Sequence, residues 1–368
     1  MKIKAALLTA AKTPFRIEEL DLDPPRAGEV LVRVKAVGVC HSDWHLVTGD
    51  TRHPMPVVAG HEGAGIVEAV GEGVDQLQTG DHVILNWAPA CGECFYCQHD
   101  QTNLCDTYTA PIWAGTMLDG TSRLRRGDQT VYSYCGLAAF ASHTVVIHQS
   151  CVKIPKTVPL ESAALIGCAV ATGVGAAMFT AKVNSGECVA VVGCGGVGLN
   201  CIQGARLCRA GKIIAIDTSA DKAILAKRLG ATDVVISANP REVIEKVRAL
   251  TQGRGTDHAF EAVGVPALQE LAFELARPGG TVTLAGLSPM GSGTNLPGAQ
   301  IVRQEKTIKG SYYGSVNAAR DFAKLIEFYS AGALKLDELI TRRYSLEQIN
   351  EAFSDMLRGK LARGVIVI

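Results

Sequence analysis

One short stretch constrains the fold more than any other. "AVVGCGGVG", residues 190–198, sets Gly193, Gly195 and Gly198 in G-x-G-x-x-G spacing between an apolar run and a segment of helical spacing. The glycines permit a tight turn and close backbone approach, and the N-terminus of the following helix presents unpaired N–H groups to a pyrophosphate. The surrounding chain repeats the alternation. "ECVAVVG", "IIAID", "DVVIS", "DHAFEAVG" and "TVTLAG" read as strands, and "VGLNCIQGARLC", "DKAILAKRLG", "PREVIEKVRALT" and "PALQELAFELARPGG" as helices. Such alternation predicts βαβ units and a parallel, doubly wound α/β sheet. Asp217 follows Gly198 by 19 residues, at the end of the next strand. Its carboxylate suits ribose hydroxyls and repels a 2′-phosphate, which favours NAD over NADP.

The texture differs on either side. Residues 1 to about 160 are short apolar runs broken by turn signals such as "DPPRAGEV" and "GEGVDQLQTGDHV", the pattern of an irregular β domain. From Asn317, two helical segments, "AARDFAKLIEFYSAG" and "SLEQINEAFSDMLRG", precede a last strand, "GVIVI". A chain of 368 residues suggests two or three domains.

Lys plus Arg and Asp plus Glu both total 36, so no global field draws in nucleic acid, and none is expected as a partner. "AALIGCAVATGVGAAMFTA", residues 163–181, is uncharged and long enough to span a bilayer. Three glycines, two threonines and many alanines argue against a span. At the N-terminus, only seven uncharged residues separate Lys4 from Lys12, too few for a secretion signal. We therefore expect a cytoplasmic protein without a membrane partner. In a reducing compartment, twelve cysteines point to metal or thiol chemistry rather than disulfides.

"CGECFYCQHDQTNLC" places Cys91, Cys94, Cys97 and Cys105 in C-x2-C-x2-C-x7-C spacing. Four thiolates on tight loops can close a tetrahedral, structural zinc site. The first three also fit an iron–sulfur run, but the C-x3-C-P ending is missing. "GVCHSDWHLVTG" and "AGHEGAG" add Cys40, His41, Ser42, Asp43, His45, His61 and Glu62. A catalytic zinc needs three protein ligands and an open position; Cys40 and His61 supply two, and the uncharged stretch holds a further cysteine, Cys168.

Taken together, "GVCHSDWH", "GHEGAG", the four-cysteine lobe, "GCAVATG", "VGCGGVG", "AIDTSADK" and "RGVIVI" resemble the zinc-dependent medium-chain alcohol dehydrogenases along essentially the whole chain, in particular the class III-like and aryl alcohol group. The resemblance implies a GroES-like β catalytic domain over residues 1–169 and 313–368, interrupted by a Rossmann-type coenzyme domain over 170–312. It implies a catalytic zinc held by Cys40, His61 and Cys168, with Glu62 behind it as an alternating ligand and Asp43 hydrogen-bonded to His61. Such an ion acts as a Lewis acid on the alcohol. Ser42 and His45 match the family's proton relay, which runs through cofactor ribose hydroxyls to the surface. The coenzyme set is Thr172, Gly193, Gly195, Gly196, Val197, Gly198, Asp217 and Lys222, with Arg363 at the pyrophosphate. His41 departs from the arginine of many members, and imidazole is the weaker anion partner.

Trp87 and Tyr134 fall where the family lines its alcohol pocket, which implies apolar alcohols, aryl or medium-chain, rather than polyols. The formaldehyde branch, which acts on thiol adducts, carries acidic residues in the loop before "GHEGAG". Here that loop reads "TGDTRHPMP", with Arg52 and His53, so the thiol-adduct reaction is the alternative. The long segment between Cys105 and Phe140 is that of dimeric members, and a homodimer is expected. A non-enzymatic relative of the fold is disfavoured because the catalytic ligand set is complete. No nucleophile elbow or Walker A sequence supports a hydrolase or NTPase.

Overall fold

Strand order positions the coenzyme turn. In the computed structural model, which describes residues 1–368, the chain forms two compact units. One comprises Ala169–Val316 and Ala333–Lys335, the other Met1–Cys168, Asn317–Gly332 and Leu336–Ile368.

The Ala169–Val316 unit holds a six-stranded sheet. Across it run Asp233–Ile236, Lys212–Asp217, Cys188–Val192, Thr256–Glu261, Ala276–Leu284 and Thr307–Gly310, every neighbouring pair parallel. Numbered along the chain the order is 3-2-1-4-5-6, that of a Rossmann fold, with its switch point beside Cys188–Val192. Those five residues are all buried, as a central parallel strand covered on both faces must be. Val192, Ile214, Val235, Val247, Leu271 and Phe273 form much of the core. Ser219 caps helix Ala220–Leu229 by accepting from the Lys222 N–H, and Asn239 caps Pro240–Leu250, whose proline loses no hydrogen bond at a first-turn position.

Two details depart from the sequence reading. The helix expected over residues 266–280 ends at Leu275, and strand geometry begins at Ala276. Pro278 cannot donate to a helical ladder and Gly279 sits at φ 69°, so the chain turns there. The edge strand Thr307–Gly310 went unread because only four residues, two of them polar, carry it.

In the other unit, a closed barrel is formed by Lys2–Leu8, Arg16–Leu22, Leu124–Arg126, Gln129–Ser133 and Val57–Val58. A seven-stranded sheet is centred on Glu29–Gly38. The last strand, Arg363–Val367, pairs antiparallel with it, so the C-terminus closes this unit. Ile3, Leu7, Leu20, Val58 and Val131 fill the barrel. Helix His41–Thr48 is held by Trp44, whose ring lies 5.6 Å from that of Phe353 on helix Ile349–Leu357.

The uncharged stretch lies within one helical segment, Leu160–Ala181, with mean hydropathy 1.8 over its most apolar window. By length and composition it could cross a membrane, but 89% of that window is buried in the protein. The helix is not regular. It widens to π geometry at Ile166–Val170 and again at Ala176–Ala181, which no sequence period disclosed.

Candidate metal centres and coenzyme crevice

Cys40, His61 and Cys168 come together although 128 residues separate the first from the last. Cys40 precedes helix His41–Thr48, His61 precedes strand Gly63–Val70, and Cys168 sits in the π-helical turn. Gly167 lets that turn approach the preceding sheet, since a Cβ there would lie 2.8 Å from the Leu85 carbonyl oxygen. All three donors are buried, and their ligand atoms lie within 4.8 Å of one another. His61 Nε2 is 3.3 Å from Cys168 Sγ. Tetrahedral coordination with ordinary Zn–S and Zn–N lengths puts such a pair about 3.5 Å apart.

Electrostatics support the same fit. Cys40 is held well below the usual thiol range, first by a hydrogen bond from Cys168 and then, against burial, by the charges of His61 and Arg363. Cys168 is pushed well up by donating that bond and by burial. Burial opposes a charge on His61, but Asp43 and Cys40 outweigh it and push the imidazole well up. The cluster therefore favours positive charge among its donors, and a dication can supply it in place of shared protons.

The surroundings hold these donors in place. His61 Nδ1 donates to Asp43 Oδ1 at 3.0 Å, and the same oxygen accepts from the Gly60 N–H at 2.8 Å. This fixes Nε2 as the coordinating nitrogen. Ser42 Oγ lies 3.8 Å from Cys40 Sγ, and His45 follows it on the same helix. Glu62 is fully buried and forms an ion pair with Arg363. Arg363, expected at the pyrophosphate, is thus engaged with Glu62 inside this unit. The Trp87 and Tyr134 rings stand edge-on to His61, with centroids 6.5 and 5.7 Å away. The Tyr134 hydroxyl donates to the Ser42 carbonyl at 3.2 Å, leaving ring carbon to face His61. His53 and Trp113 extend this aromatic wall, at 5.6 and 6.2 Å from Tyr134. The sequence reading missed Trp113, and nothing in the spacing of residue 113 marks it.

The sulfurs of Cys91, Cys94, Cys97 and Cys105 also lie within 4.8 Å of one another. Cys91 to Cys97 and Cys94 to Cys105 are both 3.9 Å. The edge of a tetrahedron with ordinary Zn–S bonds is about 3.8 Å. Backbone N–H groups of Glu93 and Cys94 point at Cys91 Sγ, and that of Cys91 at Cys105 Sγ, as thiolates require.

In the other unit the glycine turn takes the form its spacing predicts. Gly193 has φ 92°, and a Cβ on Gly198 would lie 1.7 Å from the Gly193 carbonyl oxygen. A Cβ on Gly195 would meet nothing within 4 Å, so the open side of the turn is a cradle that Gly195 keeps clear. Gly195 is also the cap of helix Gly196–Leu207 and offers no side chain to its first N–H groups, Gly196 and Val197 among them. This fits a pyrophosphate. Asp217 accepts from the Cys194 N–H at 2.7 Å and the Ser219 N–H at 3.0 Å, which ties its carboxylate to the glycine turn. Lys222 lies in the next helix's first turn. Thr172 lies on helix Ala171–Gly175, which packs closely on the Val197 turn: a Cβ on Gly173 would be 2.3 Å from the Val197 carbonyl oxygen. The sequence reading missed Glu261. Its Oε1 accepts from the Val263 and Gly264 N–H groups, both at 2.8 Å, and Val263 packs against Gly193.

This fold and these donor sets define a zinc-binding dehydrogenase, and comparison with known proteins agrees. Residues 26–156 match the alcohol dehydrogenase GroES-like domain, and residues 196–331 the zinc-binding dehydrogenase family. The chain is 44% identical to an NDMA-dependent alcohol dehydrogenase of Amycolatopsis methanolica, covering 100% of this chain and 99% of that one. It is 41% identical to an S-(hydroxymethyl)glutathione dehydrogenase of Synechocystis, covering all of both. The crystal structure of benzyl alcohol dehydrogenase from Acinetobacter calcoaceticus superposes with TM-score 0.94 at 30% identity, over 100% of this chain and 99% of that one. The chain belongs to the zinc-dependent medium-chain alcohol dehydrogenase family.

Proposed function

We propose that the enzyme oxidises a primary apolar alcohol, aryl or medium-chain, to the aldehyde with NAD, and runs the reverse reaction. The observation that carries this reading is the convergence of Cys40, His61 and Cys168 beneath an aromatic wall of Trp87 and Tyr134. Zinc held by those three donors supplies Lewis acidity toward the substrate oxygen. The aromatic edges exclude water and prefer apolar substrate carbon. Ser42, beside Cys40, accepts the hydroxyl proton as it hands on its own, and His45, on the same helix, releases a proton to solvent. Glu62 and Arg363 form the buried charge pair behind the donors. In the coenzyme unit, Asp217 favours NAD over NADP. The four-cysteine lobe holds a second, structural zinc.

A thiol-adduct reaction is the second reading, favoured by relatives named S-(hydroxymethyl)glutathione dehydrogenase at 40–41% identity. Arg52 and His53 in the loop before Gly60 weigh against it, because they set two basic side chains beside its one acidic residue, Asp50. A spectrophotometric screen at the NADH absorption band separates the two. Benzyl alcohol, ethanol, hexanol and formaldehyde, the last with and without glutathione, are offered with NAD or NADP, and NDMA is tried as an alternative acceptor. NAD reduction by benzyl alcohol or hexanol supports the first reading. Activity confined to formaldehyde plus thiol establishes the second.

We also infer a homodimer in a reducing, cytoplasmic setting. All twelve cysteines are free. The coenzyme sheet ends on the open strand Thr307–Gly310, and Met290 and Val302, on the segments leading to it, are 83% and 76% exposed. Light scattering in solution gives the mass directly.

A further inference from the structure

Two buried amides connect the glycine turn to a distant part of the chain. Asn200 and Gln203 lie on helix Gly196–Leu207, and both are wholly shielded from water. Ala333–Lys335 packs into the same unit, although 132 positions separate Gln203 from Lys335. The segment is held by buried Leu334 and by Arg206, which donates to the Ala333 carbonyl. The Lys335 N–H donates to Gln203 Oε1 at 2.8 Å, and Gln203 Nε2 donates back to the Lys335 carbonyl at 3.0 Å. A backbone N–H only donates and a carbonyl only accepts, so Lys335 fixes which end of the Gln203 amide is oxygen. Gln203 Nε2 also donates to Asn200 Oδ1 at 3.1 Å, and Asn200 Nδ2 donates to the Gly196 carbonyl at 2.8 Å. Neither side-chain amide can be flipped without setting like against like.

The series runs one way. From the Lys335 N–H onward, each amide accepts through its oxygen and donates through its nitrogen. The last acceptor, the Gly196 carbonyl, belongs to the peptide group whose N–H is that of Val197. That N–H lies in the first turn of the helix, where no side chain caps it. Hydrogen bonds in such a chain polarise one another by about 10–30% each, and burial keeps water from competing. We propose that Asn200 and Gln203 are positioning residues for the coenzyme: they hold the Gly196–Val197 peptide and polarise it, so that its N–H binds pyrophosphate more strongly. This rests on the reading of the glycine turn as the pyrophosphate site. Being buried, the two side chains act through the peptide and not on the coenzyme directly.

The test is ligand titration on the full-length zinc-loaded enzyme. Dissociation constants of NADH, of ADP-ribose, which keeps the pyrophosphate, and of adenosine, which lacks it, are measured by calorimetry. Wild type is compared with Asn200→Leu, Gln203→Met and the double variant, with zinc content and melting temperature as folding controls. Both substitutions nearly conserve volume, and either one alone decides the matter where the other fails to fold. Asn200→Leu should weaken NADH and ADP-ribose about fivefold, the usual net worth of one hydrogen bond. Adenosine should bind it as it binds wild type. Gln203→Met should weaken the same two ligands by less, because Asn200 keeps its bond to Gly196 and loses only the donor that orients it. The double variant should be no weaker than Asn200→Leu, since the two residues act in series. Unchanged NADH affinity in either folded variant overturns the proposal, and so does an equal loss for adenosine, which marks a role in the fold alone. Should Gly195→Ala also bind NADH like wild type, the pyrophosphate reading falls, and this proposal with it.

Discussion

His61 Nδ1 and Asp43 Oδ1 are 3.0 Å apart in a part of the protein where both side chains are almost wholly shielded from water. This hydrogen bond presents Nε2 to Cys168 Sγ. Burial pushes the Asp43 carboxyl up, and His61 and the Gly60 N–H pull it back toward the charged form. Asp43→Asn should preserve the fold and weaken zinc at this centre roughly 10- to 100-fold, the usual cost of losing such a partner. A chelator competition that follows metal loss from the two centres separately checks this. Unchanged affinity would mean that Asp43 does not orient His61.

Gly195 and Gly198 should fail in different ways. A methyl on Gly195 meets only open space and its φ, −81°, suits alanine, so Gly195→Ala should melt within about 0.5 kcal/mol of wild type. It should nevertheless bind NADH poorly, because the methyl occupies the pyrophosphate cradle. Gly198→Ala must displace the Gly193 carbonyl and should lose stability as well. Thermal melts paired with NADH fluorescence titrations distinguish the two. Equal NADH affinity in Gly195→Ala and wild type would remove the turn from the coenzyme site.

His41→Arg should tighten NADH binding. A guanidinium is permanently charged and grips phosphate with two donors, whereas imidazole offers a weaker, pH-dependent charge. For a pair near solvent the gain is on the order of 1 kcal/mol, about fivefold in Kd. Fluorescence titration at neutral pH measures it, and an unchanged Kd would show that residue 41 does not face the phosphates.

Much of this was legible in the sequence, for reasons that differ by site. The four-cysteine lobe and the glycine turn are local, so spacing alone carried them. Cys168 was reached only through the family resemblance, because nothing near it in sequence is a ligand and its direction is set by a π-helical turn. The helix overrun past Leu275 came from reading "ELARPGG" by its helix formers rather than by Pro278 and Gly279. Arg363 lies against Glu62, a pairing between residues 301 positions apart that no local spacing discloses. The Tyr134 hydroxyl on the Ser42 carbonyl, and Asp50 on His45, depend on loop geometry that residue types do not encode.

Cys168 should complete a catalytic zinc site separate from the lobe. Zinc counting on purified wild type and Cys168→Ala, with alcohol oxidation measured on the same samples, tests it most directly. Wild type should carry two zincs per chain, and Cys168→Ala one zinc with activity abolished. Iron in place of zinc, or a Cys168→Ala enzyme that keeps both ions and its turnover, would contradict it.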